Sequence, residues 1–212
     1  MAQSKICGLS TPDSVATALA GGASYIGLVF FQKSPRNVTA ADAGRLAIPA
    51  RGRAKVVAVT VDADDEALGA IVAGLQPDLI QLHGKESPAR AAEVRARTGA
   101  GVIKALSIST ADDLAAAGAY DGAVDHLMFD AKAPAGADLP GGNGIGFDWT
   151  LMRGRRFQRP WFLAGGLDPW NVAAAIAASG APLVDVSSGV ERGPGLKDPD
   201  LITAFLTAVR RA

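Results

Sequence analysis

Residues 161–189 read WFLAGGLDPWNVAAAIAASGAPLVDVSSG. An apolar run, Trp161 to Gly165, gives way to Asp168-Pro169, an alanine-rich stretch, Gly180 and a second apolar run, Leu183 to Ser187. Asp168 offers a capping oxygen, and Pro169 suits a first helical turn, where its missing N–H would have had no partner. Gly180 falls near the expected helix end, where a residue without Cβ is useful. The stretch therefore reads as strand, helix, strand. Continuous apolar runs, rather than alternating ones, mark strands covered on both faces, as in a parallel sheet.

The same pattern recurs along the chain. Lys5 to Gly8, Tyr25 to Phe30, Lys55 to Val61, Asp78 to His83, Gly101 to Leu106 and His126 to Asp130 precede the two runs above, making eight strand candidates. Thr11-Pro12, Ser87-Pro88 and Asp198-Pro199 repeat the cap-proline signal, while Thr39 with Asp42 and Thr110 with Asp113 pair a cap with an acid in the first turn. Gly21 and Gly99 stand near helix ends. Each strand-helix unit takes roughly 25 residues, and no linker interrupts them, so residues 1–212 are expected to form a single domain. An open doubly wound sheet and a closed barrel both use such units. Eight of them with a last helix from Pro199 to Arg211 match a (β/α)8 TIM barrel near its lower length of about 200 residues. Neither Cys7-Gly8-Leu9-Ser10 nor the run from Gly141 to Gly146 has the G-x-G-x-x-G spacing of a dinucleotide-binding turn. The expected fold is α/β, a single-domain (β/α)8 barrel.

Composition narrows the function classes. The 212 residues carry a formal net charge of +0, with 49% hydrophobic and 20% charged residues. A neutral balance gives no footprint for nucleic acid or an anionic membrane surface. One cysteine excludes an internal disulfide framework, and one cysteine with two histidines cannot supply an ordinary structural zinc site. There is no secretory h-region and no apolar run long enough to span a bilayer. A soluble, cytoplasmic protein, either monomer or homodimer, is expected.

Alternation along the strands assigns faces. With Leu127 and Phe129 toward the helices, Met128 and Asp130 point to the barrel axis. Val184 and Val186 outward leave Asp185 and Ser187 inward; Ile80 and Leu82 outward leave Gln81 and His83 inward. Ile6 outward turns Cys7 inward, and Ile103 outward would turn Lys104 inward. Polar groups thus gather at the C-terminal strand ends, where barrel enzymes place their chemistry. A purely structural barrel would fill these positions with Val, Ile or Leu.

Each candidate has a plainer alternative. Cys7 is either a small buried hydrophobe or a base whose thiol needs a nearby cation. Asp130 is either half of a salt bridge with Lys104 or Lys132, or an acid facing a substrate. Lys104 and Lys132 invite a Schiff-base reading, but an internal ion pair and a solvated loop are preferred. Gly165-Gly166 after strand seven and Ser187-Ser188-Gly189 after strand eight suit phosphate. Arg36, after Pro35, suits a planar carboxylate, its alternative being an exposed surface arginine. His126, at the opposite barrel end, is read as surface.

Taken in order, Lys5-Ile6-Cys7-Gly8, Phe31 to Arg36, Gln81-Leu82-His83-Gly84, Phe147-Asp148-Trp149, Ala164-Gly165-Gly166-Leu167 and Asp185-Val186-Ser187-Ser188-Gly189-Val190-Glu191 resemble phosphoribosylanthranilate isomerases of tryptophan biosynthesis. The resemblance runs from strand one through Lys197-Asp198. It implies an Amadori rearrangement of N-(5-phosphoribosyl)anthranilate to 1-(2-carboxyphenylamino)-1-deoxyribulose 5-phosphate, with no cofactor and no metal. By that resemblance Asp130 is the general acid and Cys7 the general base. Arg36 would hold the anthranilate carboxylate, with Asp185 and His83 contacting substrate. Phosphate would sit on Gly165, Gly166, Ser187, Ser188 and Gly189, with Gly142 and Asn143 near it. The chain departs from the family at Asn143 and Ile145, where Ser or Thr and Lys are usual, and at Thr60 and Asp62, where Phe and Asn are common. Three other classes stay open: a histidine-pathway aminoaldose isomerase, against which Cys7 argues; a Schiff-base lyase, which borohydride trapping would support; and a non-catalytic phosphosugar-binding barrel, which would tolerate loss of Asp130.

Overall fold

Side chains that alternate between two apolar surroundings build the centre of the molecule. The computed structural model describes residues 1–132, 141, 144 and 146–212. Eight parallel strands close in sequence order: β1 (Gln3–Cys7), β2 (Tyr25–Phe30), β3 (Lys55–Thr60), β4 (Leu79–Leu82), β5 (Gly101–Ile108), β6 (His126–Ala131), β7 (Trp161–Leu163) and β8 (Leu183–Val186), with β8 pairing back onto β1. The expected barrel is the observed one. No helix among the described residues is long and apolar enough to cross a membrane.

Two apolar layers hold it. One lies between strands and helices and contains Ile6, Ile80, Leu82, Leu127, Phe129, Val184 and Val186. The other fills the barrel interior with Tyr25, Val57, Leu79, Ile103, Met128, Phe162 and Leu183. The predicted faces of β1, β4, β6 and β8 agree with this division. β5 is turned the other way: Ile103 packs inside with Met128 and Phe162, and Lys104 points outward. Apolar residues on both faces of β5 make hydrophobicity a poor guide to its register. Lys104 is satisfied on the outer side by Glu86 Oε2 at 2.8 Å and by the Leu82 and Gly84 carbonyls. His126, expected at the surface, is half-buried at the floor of the barrel, with Tyr25 and Phe162 around it at centroid distances of 6.2 and 5.7 Å. Burial lowers the pKa of its imidazole.

Helices α1 (Pro12–Ala20), α2 (Ala40–Ala47), α3 (Asp65–Leu75), α4 (Pro88–Thr98), α5 (Val172–Ser179) and α6 (Pro199–Arg211) cover the barrel. Thr11, Thr39, Ser87 and Asp198 cap their helices as the sequence suggests, each accepting from a backbone N–H of the first turn. α6 buries Ile202, Phe205, Leu206 and Val209, a single stripe at helical spacing. Two caps act differently from expectation. Asp168 accepts from Trp170 N and Asn171 N and closes a turn, so α5 begins only at Val172. Asp113 accepts from Ser109 N and Thr110 N, and the element after β5 is a 3-10 helix, Asp112–Tyr120. After β8 the chain adds a short antiparallel hairpin, β9 (Glu191–Gly193) with β10 (Leu196–Lys197). The strand-helix pattern gives no hint of it.

Candidate active site

Among the described residues, a cavity opens at the C-terminal strand ends. Cys7, Arg36, His83, Asp130, Asp185, Gly165, Gly166, Ser187 and Ser188 all line it, arriving from β1, β2, β4, β6, β7 and β8 or the loops that follow them. Gly189 does not line it; it stands in the short 3-10 turn Ser188–Val190. Gly142 and Asn143 lie outside the described residues. Lys132 reaches the cavity wall from an exposed position, whereas Lys104 does not face it.

Cys7 ends β1 and is buried. Lys5, two residues earlier and therefore on the same face, is wholly buried inside the barrel. Its ammonium lies 2.8 Å from Asp185 Oδ1. Gly27 on the neighbouring strand makes room for the pair: a Cβ there would sit 3.0 Å from Cys7 Sγ and 3.1 Å from Lys5 Nζ. Burial pushes the Cys7 thiol up, and the Lys5 charge works against that push while Asp185 adds to it. Burial alone would lower the pKa of Lys5, but Asp185 and Cys7 outweigh it and hold the ammonium above its ordinary range. The cation that a reactive thiol needs is thus part of the same strand.

Asp130 on β6 meets His83, whose Nε2 is 3.1 Å from Asp130 Oδ2. Gln81, fully buried one alternation earlier on β4, places its amide nitrogen 2.8 Å from His83 Nδ1. With that amide donating to Nδ1, the ring carries its proton on Nε2 and donates to Asp130. The plainer alternative for Asp130 was a salt bridge with Lys104 or Lys132; the partner found is His83.

Arg36 is buried, not exposed, and Glu191 is the reason. Its Nε donates to Glu191 Oε1 at 2.7 Å and its Nη2 to Oε2 at 2.8 Å. Gly8, at φ 76°, lets the arginine pass over the end of β1; a Cβ there would lie 2.5 Å from Arg36 Cδ. Lys197 also binds Glu191 Oε1, at 2.7 Å, and donates to the Ser187 carbonyl at 2.8 Å. Burial pushes the Glu191 carboxyl up, but hydrogen bonds from Arg36 and the charge of Lys197 bring it below its usual range. Burial also lowers the pKa of Lys197 against the pull of Glu191.

Residues 4–208 match the family described as N-(5'phosphoribosyl)anthranilate (PRA) isomerase. The chain belongs to that family. A PRA isomerase relative from Caulobacter sp. (strain K31), named N-(5'-phosphoribosyl)anthranilate isomerase, is 63% identical across the full length of both chains. The crystal structure of phosphoribosyl anthranilate isomerase from Thermotoga maritima is 32% identical, covers 100% of each chain and superposes with a TM-score of 0.89. A further crystal structure of a PRA isomerase, in complex with reduced 1-(o-carboxyphenylamino)-1-deoxyribulose 5-phosphate, is 31% identical with a TM-score of 0.86, again covering 100% of both chains.

Sequence reasoning named Cys7, Asp130, His83, Arg36 and Asp185 but missed their partners Lys5, Gln81, Glu191 and Lys197. Lys5 was legible by strand parity with Cys7. Gln81 had been placed inward without a task. Nothing local connects Glu191 or Lys197 to Arg36.

Proposed function

We propose that this chain carries the family's activity, isomerising N-(5-phosphoribosyl)anthranilate to the 1-deoxyribulose 5-phosphate aminoketone in tryptophan biosynthesis, with Asp130 as general acid and Cys7 as general base. The observation that carries the assignment is a thiol on β1 and a carboxyl on β6 facing one cavity at the C-terminal end of the barrel. A protonated Asp130 gives its proton to the furanose ring oxygen; the C1–O bond breaks and the nitrogen lone pair closes C1=N⁺. The Cys7 thiolate then takes the proton from C2, and the C–H electrons form C1=C2 as the nitrogen becomes neutral. The resulting enolamine loses its C2 hydroxyl proton and gains one at C1, leaving the ketone.

The iminium is an electron sink made by the substrate itself, so the proton transfers draw on the chain's own acid and base. Its positive charge also favours the thiolate, adding to Lys5 at the moment the base is needed. Arg36 takes the anthranilate carboxylate: Glu191 occupies the Nε and Nη2 edge of the guanidinium, leaving the Nη1 edge for a planar ligand. Gly165, Gly166, Ser187 and Ser188 provide phosphate donors at the other end of the cavity, and Asp185 contacts substrate while holding Lys5.

The test follows loss of freshly made phosphoribosylanthranilate by fluorescence. Cys7→Ala and Asp130→Asn are each expected to lower kcat by about 10²–10⁴-fold in a folded protein. Near-normal turnover in either variant would remove that residue from the mechanism.

A further inference from the structure

The cluster behind Arg36 does not balance. Arg36, Glu191 and Lys197 are interlocked, with side chains 7%, 3% and 2% exposed. Two cations share one carboxylate, and that carboxylate has no capacity left. Its Oε1 accepts from Arg36 and Lys197, and its Oε2 from Arg36 and from Gly195 N at 3.2 Å. Lys5 and Asp185, the nearest ion pair along the same wall, compensate each other at 2.8 Å. Among the described residues, and with Cys7 as the neutral thiol, the Arg36 group therefore keeps one unit of uncompensated positive charge, almost removed from water, beside the cavity. An unbalanced buried charge is costly until an anion arrives to meet it.

We propose that Lys197 is a specificity-determining residue: by neutralising Glu191 it frees the charge of Arg36 for the ligand, and so selects substrates whose aryl ring bears a carboxylate. Without Lys197, Arg36 and Glu191 form a self-satisfied neutral pair with little reason to take an anion. The β9–β10 hairpin that carries Lys197 also ties the carboxylate end of the site to the phosphate end, because the same ammonium donates to the Ser187 carbonyl at 2.8 Å and lies 3.3 Å from Ser187 Oγ. This rests on the reading that Arg36 receives the anthranilate carboxylate.

The test compares kcat/KM for phosphoribosylanthranilate with that for the phosphoribosyl-aniline analogue, which lacks the carboxylate. Lys197→Met removes one of the two cations on Glu191 and leaves the carboxylate paired with Arg36 through both oxygens. It is expected to raise KM for the natural substrate on the order of 10- to 100-fold more than for the analogue, the range of one charge-assisted contact, both substrates sharing any loss that comes from the broken hydrogen bond to the Ser187 carbonyl. The double variant Lys197→Met/Glu191→Gln restores one net positive charge, and its preference for the carboxylated substrate is expected to recover. A purely structural role predicts parallel losses for both substrates in Lys197→Met and a still worse double variant; either result overturns the proposal. Arg36→Met tests the underlying reading separately. If the wild-type preference survives in Arg36→Met, the carboxylate is held elsewhere, and it is that reading that has failed.

Discussion

Replacing Lys5 by Met should slow the chemistry of Cys7 without touching the thiol. Nζ and Sγ each lie about 3 Å from one point, the place a Gly27 Cβ would occupy. The two charges are therefore no more than about 6 Å apart, and at an effective dielectric of about 20 their attraction is about 3 kcal/mol. At fixed pH below the thiol's titration, losing it should lower the thiolate population, and with it the alkylation rate, by about 100-fold. Cys7 is the only cysteine, so iodoacetamide reports on it alone. Asp185→Asn is the matched control: it breaks the same ion pair but removes a charge that raises the thiol rather than one that lowers it. Its alkylation should be faster than wild type, and the rate-against-pH curve should move down, while that of Lys5→Met moves up. Leaving Asp185 without its partner costs about 3–5 kcal/mol of stability, so rates are compared well below each variant's melting temperature. Two variants moving the same way, or Lys5→Met alkylating at the wild-type rate, would refute the electrostatic assignment and reduce Lys5 to a packing role.

Glu191 is expected to leave a mark on stability against pH. Its folded carboxyl titrates below the ordinary range, so its contribution is complete above the unfolded pKa and is lost as pH falls through the folded one; Glu191→Gln should flatten that acid slope in chemical denaturation. Gly27→Ala places a carbon 3.0 Å from Sγ and should cost on the order of 100-fold in kcat through misplacement of the base, whereas Gly69→Ala, with nothing within 4 Å, should leave kcat unchanged. Gln81→Leu removes the partner of His83 Nδ1; kcat should fall about tenfold, one hydrogen bond's worth, with KM nearly unchanged. In the same variant the His83 ring-nitrogen NMR signals should change, with His126, the other histidine, as an unchanged internal reference.

What the chain reveals as a sequence, and what only its fold supplies, follow from the range of each interaction. Strand parity is local, so Cys7, Asp130, His83 and Asp185 stand out as polar groups at inward positions of apolar runs. The same logic fails on β5, where Val102, Ile103 and Ala105 flank Lys104 and either register would bury apolar carbon. Helices α1, α2, α4 and α6 were foreshadowed by their caps, yet Asp168 and Asp113 spend their carboxylates on turns, because side-chain acceptors compete equally well for N–H groups outside a helix. Arg36 could be nominated from its loop, but whether a guanidinium is free, clamped or neutralised depends on groups far along the chain, and Glu191 is 155 residues away. Charge shows the same divide. A formal net charge of +0 excludes attraction to polyanions as a bulk property, but it is a sum over the whole chain. The Arg36–Glu191–Lys197 group is a local remainder of that sum, and a buried remainder of one charge can govern which anion enters.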